Sequence, residues 1–230
     1  MTKIGLLCSS GGSAVASAFR LLREVGCEID AVMVTDRECP AESVARELGF
    51  RHHRFEITSR DEFSNAAASW FYSECGVDWV CLFFQRLVSA HLFERERCAN
   101  IHPSLLPSFP GLRPLQQARS SGARFFGATA HLIDESIDGG PILAQVISPL
   151  APDLGLESMK RISFAQKVYL LLVLTEQMSD MSKQCNEPQV PASIIANNYA
   201  NPMLVDTALS DAFVRFVDQE RIPWVPRTVM

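Results

Sequence analysis

The run DWVCLFF at 78–84 limits the fold more than any other stretch of the chain. A strand with one face in water alternates apolar and polar side chains. From Trp79 on this run is apolar at every position, and such a run is buried on both faces, as in a parallel sheet covered by helices on either side. Other runs agree with it. KIGLLC (3–8), closed by SSGGS, reads as a buried first strand, IDAVMVTD (29–36) as a second and CANIH (98–102) as a fifth. RHHRFEI (51–57) is a third, more polar strand.

Helical patterns separate these runs. Val15, Phe19 and Leu22 share one face of a helix predicted over Ala14–Val25, and Pro40–Leu48 forms a shorter one with proline near its first turn. Ser59 followed by Glu62 is a capping-box pattern that starts a helix reaching about Glu74. Further along, Arg113–Ser121 is helical. FFGATAHLI (125–133) then alternates and returns through ESIDGG as PILAQVIS (141–148), an antiparallel pair. A long helix runs from Leu156 to about Met181 with LLLVL (170–174) turned to the core. SKQCNEPQVPAS (182–193) reads as a linker, and Leu204–Arg221 as an amphipathic helix. The expectation is a Rossmann-like α/β domain over 1–181, mostly parallel with helices on both faces, followed by a linker and helical extension over 182–230. Its ligand cleft belongs at the carboxyl ends of the strands.

Composition narrows the function. In 230 residues, 21 basic and 26 acidic side chains give a formal charge of -5, against the basic face that nucleic-acid binding needs. The seven cysteines are scattered without a CxxC pair, so neither a metal site nor a redox motif is supported. His52 and His53 are adjacent and so point to opposite faces of a strand, which is poor ligand geometry. The apolar stretch after Lys3 is too short for a signal peptide, and no run reaches the roughly 20 apolar residues that span a bilayer. A cytoplasmic protein with no membrane or nucleic-acid partner is expected, with a homodimer possible through the C-terminal helix.

Candidate chemistry is concentrated in 99–141. Asn100 and His102 are two apart at the end of an apolar run, so on a strand they share a face. Pro103 ends that strand and opens a stiff loop carrying Pro107, Pro110 and Pro114. Asp138 returns on a Gly139-Gly140-Pro141 turn. Each residue alone has a plain reading: a cap, a satisfied histidine, a hairpin turn. The three in this order read as a site on a rigid frame. His131 on the alternating strand reads as an interior packing residue. Ser10, Gly11, Gly12 and Ser13 between the first strand and helix can cradle an anion, because free N–H groups gather at a helix N-terminus.

NIHPSLLPSFPG together with GATAHLIDESIDGGPILAQ closely resembles the family of formyltransferases that use 10-formyltetrahydrofolate, and the resemblance runs from Lys3 to about Gln177. It implies catalytic roles for Asn100, His102 and Asp138. It also implies a folate site in which Arg86, Leu87 and Val88 present main-chain groups to the pterin opposite Ile137, Gly139 and Gly140. The acceptor would approach from Ser10–Ser13. No metal is implied. Relatives that formylate glycinamide ribonucleotide hold its phosphate with a Ser-Gly-x-Gly-Ser-Asn loop. Ser9, Gly12 and Ser13 match it, whereas Ser10 replaces a glycine and Ala14 the asparagine. Relatives carry Gln-Glu where this chain has Gln166-Lys167, and histidines near Arg113-Pro114-Leu115-Gln116.

The implied reaction moves the formyl group to the amine of a small molecule: glycinamide ribonucleotide, an amino sugar or another amine. Asn100 and His102 would stabilise the oxyanion, and Asp138 would assist proton transfer. Two alternatives are a hydrolase that releases formate from the same folate and a non-catalytic folate binder. The hydrolases usually add an N-terminal regulatory domain, so a chain opening on its first strand favours transfer.

Overall fold

A computed structural model describes residues 2–94, 98–184 and 204–224. Seven strands form one sheet in the order β3-β2-β1-β4-β5-β6-β7. They are β1 (Lys3–Cys8), β2 (Asp30–Thr35), β3 (Arg51–Arg54), β4 (Trp79–Phe83), β5 (Cys98–His102), β6 (Phe125–Leu132) and β7 (Ile142–Pro149). The first five are mutually parallel, and β6 and β7 run antiparallel. This is the expected Rossmann-like, mostly parallel arrangement.

Strand parity explains the two helical layers. Ile4, Leu6 and Cys8 belong to one core and Leu7 to a second on the opposite face. The first core packs α1 (Ser13–Glu24), α2 (Ala41–Leu48) and α6 (Leu156–Gln184); the second packs α3 (Arg60–Ala68). The LLLVL segment of α6 is fully buried, as its composition requires. Residues apolar on both parities are thus covered on both faces.

Several element ends differ from expectation. β3 stops at Arg54 because β2, its only neighbour, ends at Thr35; a last bond from Phe55 N–H to the Thr35 carbonyl (2.9 Å) leaves Glu56 and Ile57 unpaired. The helix expected to reach Glu74 is α-helical only to Ala68 and continues as a π turn over Ser69–Glu74, with Trp70 and Phe71 buried. Ser59 caps its start by accepting from Glu62 N–H at 3.4 Å. α7 is confined to Thr207–Gln219. Asp206 caps it by accepting from Leu209 N–H, and the Glu176 carboxylate holds the Val205 and Asp206 N–H groups at 2.8 and 2.5 Å. Most of the expected linker lies outside the described residues, while 182–184 extend α6.

Two short helices, α4 (Ala90–Phe93) and α5 (Pro114–Ser120), lie on the loops after β4 and β5. The order of strands reverses beside β1, whose neighbours are β2 and β4, and this opens a crevice at the carboxyl ends of β1 and β4. Its two loops are tied together there. Ser9 N–H donates to the Phe83 carbonyl (3.3 Å), and Gln85 N–H donates to Ser9 Oγ (2.9 Å).

Candidate functional site

The alternation of β5 sorts its side chains. Ala99 and Ile101 enter the first core, so Asn100 and His102 lie together on the other face. Their antiparallel partners on β6 are His131 and Thr129 respectively. Direct cross-strand partners share a face, so four polar side chains meet in one patch.

Asp138 closes the patch from the turn between β6 and β7. Its Oδ2 accepts from Gly111 N–H at 2.8 Å and lies 3.2 Å from His102 Nδ1. Its Oδ1 lies 3.5 Å from Asn100 Nδ2. The structure therefore brings Asn100, His102 and Asp138 together around one carboxylate. The turn achieves this with Asp138 itself at φ 53°, a left-handed conformation uncommon outside glycine. Gly140 is what permits it: a Cβ there would stand 2.0 Å from the Leu132 carbonyl oxygen, well inside contact distance.

His102 is 6% exposed and flanked by acceptors, with Nε2 3.1 Å from the Phe109 carbonyl and Nδ1 on Asp138. Both ring nitrogens thus face acceptors, which fixes the plane of the imidazole. The loop after β5 is held equally firmly. Thr129 Oγ1 donates to the Ser104 carbonyl (2.6 Å) and accepts from Leu106 N–H (3.1 Å), while Gln145 Nε2 donates to the Leu106 carbonyl (2.9 Å). Phe109 and Arg113 in this loop also adopt positive φ, at 56° and 57°. Such conformations persist when the surroundings over-determine them, and here they aim the Phe109 carbonyl at the histidine.

His131 was expected first as an interior packing residue, with a place lining the pocket as the lesser reading; the structure adds it to the cluster. A register shift between Ala130 and His131, where β7 carries one residue more than β6, re-aims the strand at this point. The ring is 2% exposed, and burial lowers its pKa despite the nearby Leu132 carbonyl and Asp138. Nδ1 lies 2.9 Å from that carbonyl, which can only accept, so the proton of the neutral ring resides on Nδ1. Nε2 is then an acceptor for Asn100 Nδ2, 3.3 Å away. Its 3.7 Å separation from Asp138 Oδ1 is accordingly a pair of acceptors bridged by the asparagine amide, not an ion pair. Spacing in the sequence carries no signal for this, because the pairing of His131 with Asn100 is set by the register of β5 against β6.

The residues expected to meet folate divide. Leu87 and Ile137 are 59% and 61% exposed, the kind of apolar surface that a flat ligand covers. Val88 is half-buried against the second core. The Arg86 side chain is committed elsewhere: it donates to the Ile57 and Thr58 carbonyls (3.0 and 2.7 Å), approaches buried Asp36 at 3.4 Å and lies over the Phe63 ring. That leaves only its main chain for a ligand. Gly139 is exposed and Gly140 buried against β6.

Beside the crevice is a cavity of about 250 Å³. Ser10, Gly11, Gly12 and Ser13 form one wall, with Gly12 at φ 69° turning the chain into α1. Pro103, immediately after His102, joins this wall to the cluster. The opposite wall is a single stripe of α6: Lys160, Ser163, Phe164 and Lys167, spaced so that all four share one helical face. Burial lowers the pKa of Lys167. Among the described residues no group of three His, Cys, Asp or Glu side chains is arranged for a metal ion, and no helix is long and apolar enough to cross a membrane.

Residues 3–174 match the family model described as Formyl transferase. The phosphoribosylglycinamide formyltransferase of Bacillus subtilis (strain 168) is 30% identical over 152 residues, covering 63% of this chain and 78% of that protein. The formyltetrahydrofolate deformylase of Synechocystis sp. is 30% identical over 125 residues, 53% of this chain and 43% of that relative. The trifunctional purine biosynthetic protein adenosine-3 of Drosophila melanogaster is 31% identical over 160 residues, 66% of this chain, which spans only 12% of its length. A solved structure, glycinamide ribonucleotide transformylase 1 from Symbiobacterium toebii, superposes with TM-score 0.73 at 29% identity, covering 79% of this chain and 89% of that one.

Proposed function

The chain belongs to the formyl transferase family, and on that premise we propose that it passes the formyl group of 10-formyltetrahydrofolate to the amine of a small molecule, using Asn100, His102 and Asp138. One observation carries this reading: Asn100 and His102, neighbours on one strand face, meet the carboxylate that Asp138 brings back on a later turn, beside a cavity. The folate supplies the activated formyl group. Exposed Leu87 and Ile137 offer it apolar surface, and the main chain at Arg86–Val88 offers hydrogen bonds.

The protein then has three tasks. It must hold the amine near the formyl carbon, stabilise charge growing on the formyl oxygen and remove a proton from the amine. Asn100 Nδ2 suits the second task, since its 3.5 Å contact to Asp138 is long and the one most readily exchanged. A preorganised donor of this kind contributes about 2.7–4 kcal/mol. His131, by accepting from the same amide, fixes which way Asn100 points and acts as a positioning residue. His102 donates beside the oxyanion, and Asp138, while keeping His102 oriented, receives the amine proton through a water; a proton goes back to the folate nitrogen as its bond to the formyl carbon breaks and tetrahydrofolate leaves.

Release of formate to water is the second reading, supported by the deformylase relative. A cavity of about 250 Å³ next to the cluster favours an acceptor, because attack by water needs no such space. A turnover assay separates the two. Tetrahydrofolate release is followed with purified protein and 10-formyltetrahydrofolate, with and without amines including glycinamide ribonucleotide. Release that depends on an amine supports transfer, amine-independent release supports hydrolysis, and no release under any condition removes both.

A further inference from the structure

The proline-rich loop after β5 has a second side. Pro103 lines the cavity beside α6 and also a separate cavity of about 270 Å³. Over this stretch the loop is drawn in on itself: Ser104 Oγ donates to the Ser108 carbonyl at 2.7 Å, and Ser108 N–H donates to the Leu105 carbonyl at 2.9 Å. Leu105 lies over β6 at Gly127, where a Cβ would stand 2.5 Å from its Cδ2. Leu105 also lines the second cavity, together with Phe109, Phe125 and Phe126. Neither Asn100, His102 nor Asp138 does, so this space is distinct from the reacting centre.

A void sealed in a core is dry and wholly apolar. This one reaches the surface, through Phe125 at 56% exposed and through exposed Arg124. The Arg124 main chain is pinned, since its carbonyl accepts from Leu150 N–H at 2.9 Å. Among the described residues its guanidinium has no hydrogen bond, carboxylate or ring partner, and no acidic side chain lines the cavity. Phe109 links this space to the polar cluster. It lines the cavity, and from φ 56° it aims its carbonyl at His102 Nε2, 3.1 Å away. A residue in that conformation is held there by what surrounds it, and part of what surrounds Phe109 is a cavity rather than side chains.

We propose that this second cavity binds a small aromatic carboxylate, its ring among the three phenylalanines and its carboxylate on Arg124, and that its occupancy is felt at His102 through Phe109. Aromatic rings pair edge-on or offset, and three phenylalanine side chains offer such partners. A planar guanidinium takes a carboxylate through two parallel N–H bonds, which makes an unpaired arginine at the rim a selective anchor. A ring packed on Phe109 supplies contacts that its left-handed conformation lacks on that side. It thereby holds the carbonyl on the histidine without touching the reacting groups.

The full-length chain is titrated by calorimetry with 3-phenylpropanoate and with its neutral amide, 3-phenylpropanamide. The histidine ring nitrogens are followed by NMR, with the His102 signal assigned by its loss in His102→Gln. Two variants are measured alongside: Arg124→Gln, at an exposed position, and Ala123→Leu, which narrows the cavity from a half-buried one. Wild type should bind the carboxylate at least about tenfold more tightly than the amide. Arg124→Gln should erase that preference, and Ala123→Leu should weaken both probes. Saturating carboxylate should move the His102 Nε2 signal in wild type and not in Arg124→Gln at the same concentration. No binding, equal affinity for the two probes, or a carboxylate affinity unchanged in Arg124→Gln overturns the site; the last result is what capture by Lys160 and Lys167 in the other cavity would give. Binding that leaves the His102 signal in place overturns the link to the cluster. If melting curves show that Ala123→Leu does not fold, Arg124→Gln decides alone. None of these readouts depends on formyl transfer.

Discussion

Replacing Asp138 by asparagine tests the proposed chemistry with little disturbance of the frame. The amide is isosteric with the carboxylate, and the surroundings can orient it. Its oxygen takes the Oδ2 place, accepting from Gly111 N–H and His102 at the present 2.8 and 3.2 Å separations. Its NH2 then faces the acceptor Nε2 of His131, 3.7 Å away, and meets Asn100 Nδ2 as donor against donor at 3.5 Å. One contact improves and one worsens, while two charge-assisted bonds become neutral. The net cost is about 1–2 kcal/mol, which for a chain of this size lowers Tm by roughly 2–8 °C. Turnover responds on another scale, because an amide cannot accept the amine proton. A loss of at least about 100-fold is expected. Both numbers come from one preparation: a melting curve and tetrahydrofolate release with a competent acceptor. Near wild-type turnover would remove Asp138 from the mechanism. A collapse of Tm much beyond this range would recast it as a structural carboxylate.

Other expectations follow from the same geometry. Gly140→Ala must push the turn away from the Leu132 carbonyl, costing about 1–3 kcal/mol and lowering turnover although every polar residue is intact; melting and turnover assays together detect this. Burial alone would raise the pKa of Asp36, but hydrogen bonds and charge from Arg37 and then Arg86 bring it below the ordinary carboxylate value. Its contribution to stability is therefore complete above about pH 4 and lost as pH falls through the lower folded value. Melting curves from about pH 6 to about pH 3 should show a shallower decline for Asp36→Asn than for wild type. Burial pushes the Cys8, Cys81 and Cys98 thiols far up, so iodoacetamide should label half-buried Cys27 or Cys39 well before any of these three, as read by peptide mapping.

Much of this architecture was legible because period and parity are local properties. DWVCLFF could not lie at a half-exposed position, and the two-residue spacing of Asn100 and His102 put them on one face once a strand was granted. The failures have non-local causes. β3 ends where its neighbour runs out of residues, a fact about β2 that no reading of RHHRFEI contains. The π turn at Ser69–Glu74 leaves the apolar positions of a helix in place, so periodicity could not announce it. His131 joined the cluster because β6 pairs it directly with Asn100, a register that neither strand contains by itself. Arg86 showed the converse, since its side chain was spent on Asp36 and two carbonyls that are remote in sequence. Lys167 was marked in the sequence only by standing where relatives carry a glutamate; its place on the cavity wall is a matter of how α6 packs.

The C-terminal helix lies beyond the residues matched by the family model. It rests on the outer sides of α1 and α6: Arg215 pairs with Glu24 at 2.8 Å, Phe213 packs on Tyr169 with ring centroids 4.9 Å apart, and Arg161 donates to the Glu220 and Arg221 carbonyls. Phe216 meets Phe164 at 6.1 Å, and Phe164 is itself part of the cavity wall. The two helices it braces are the two jaws of the cavity, one bearing Ser13 and the other Lys167. α7 therefore acts as a spacer that gauges the opening from behind. Replacing Phe213 or Phe216 would retune which acceptors fit without altering a single residue that touches them.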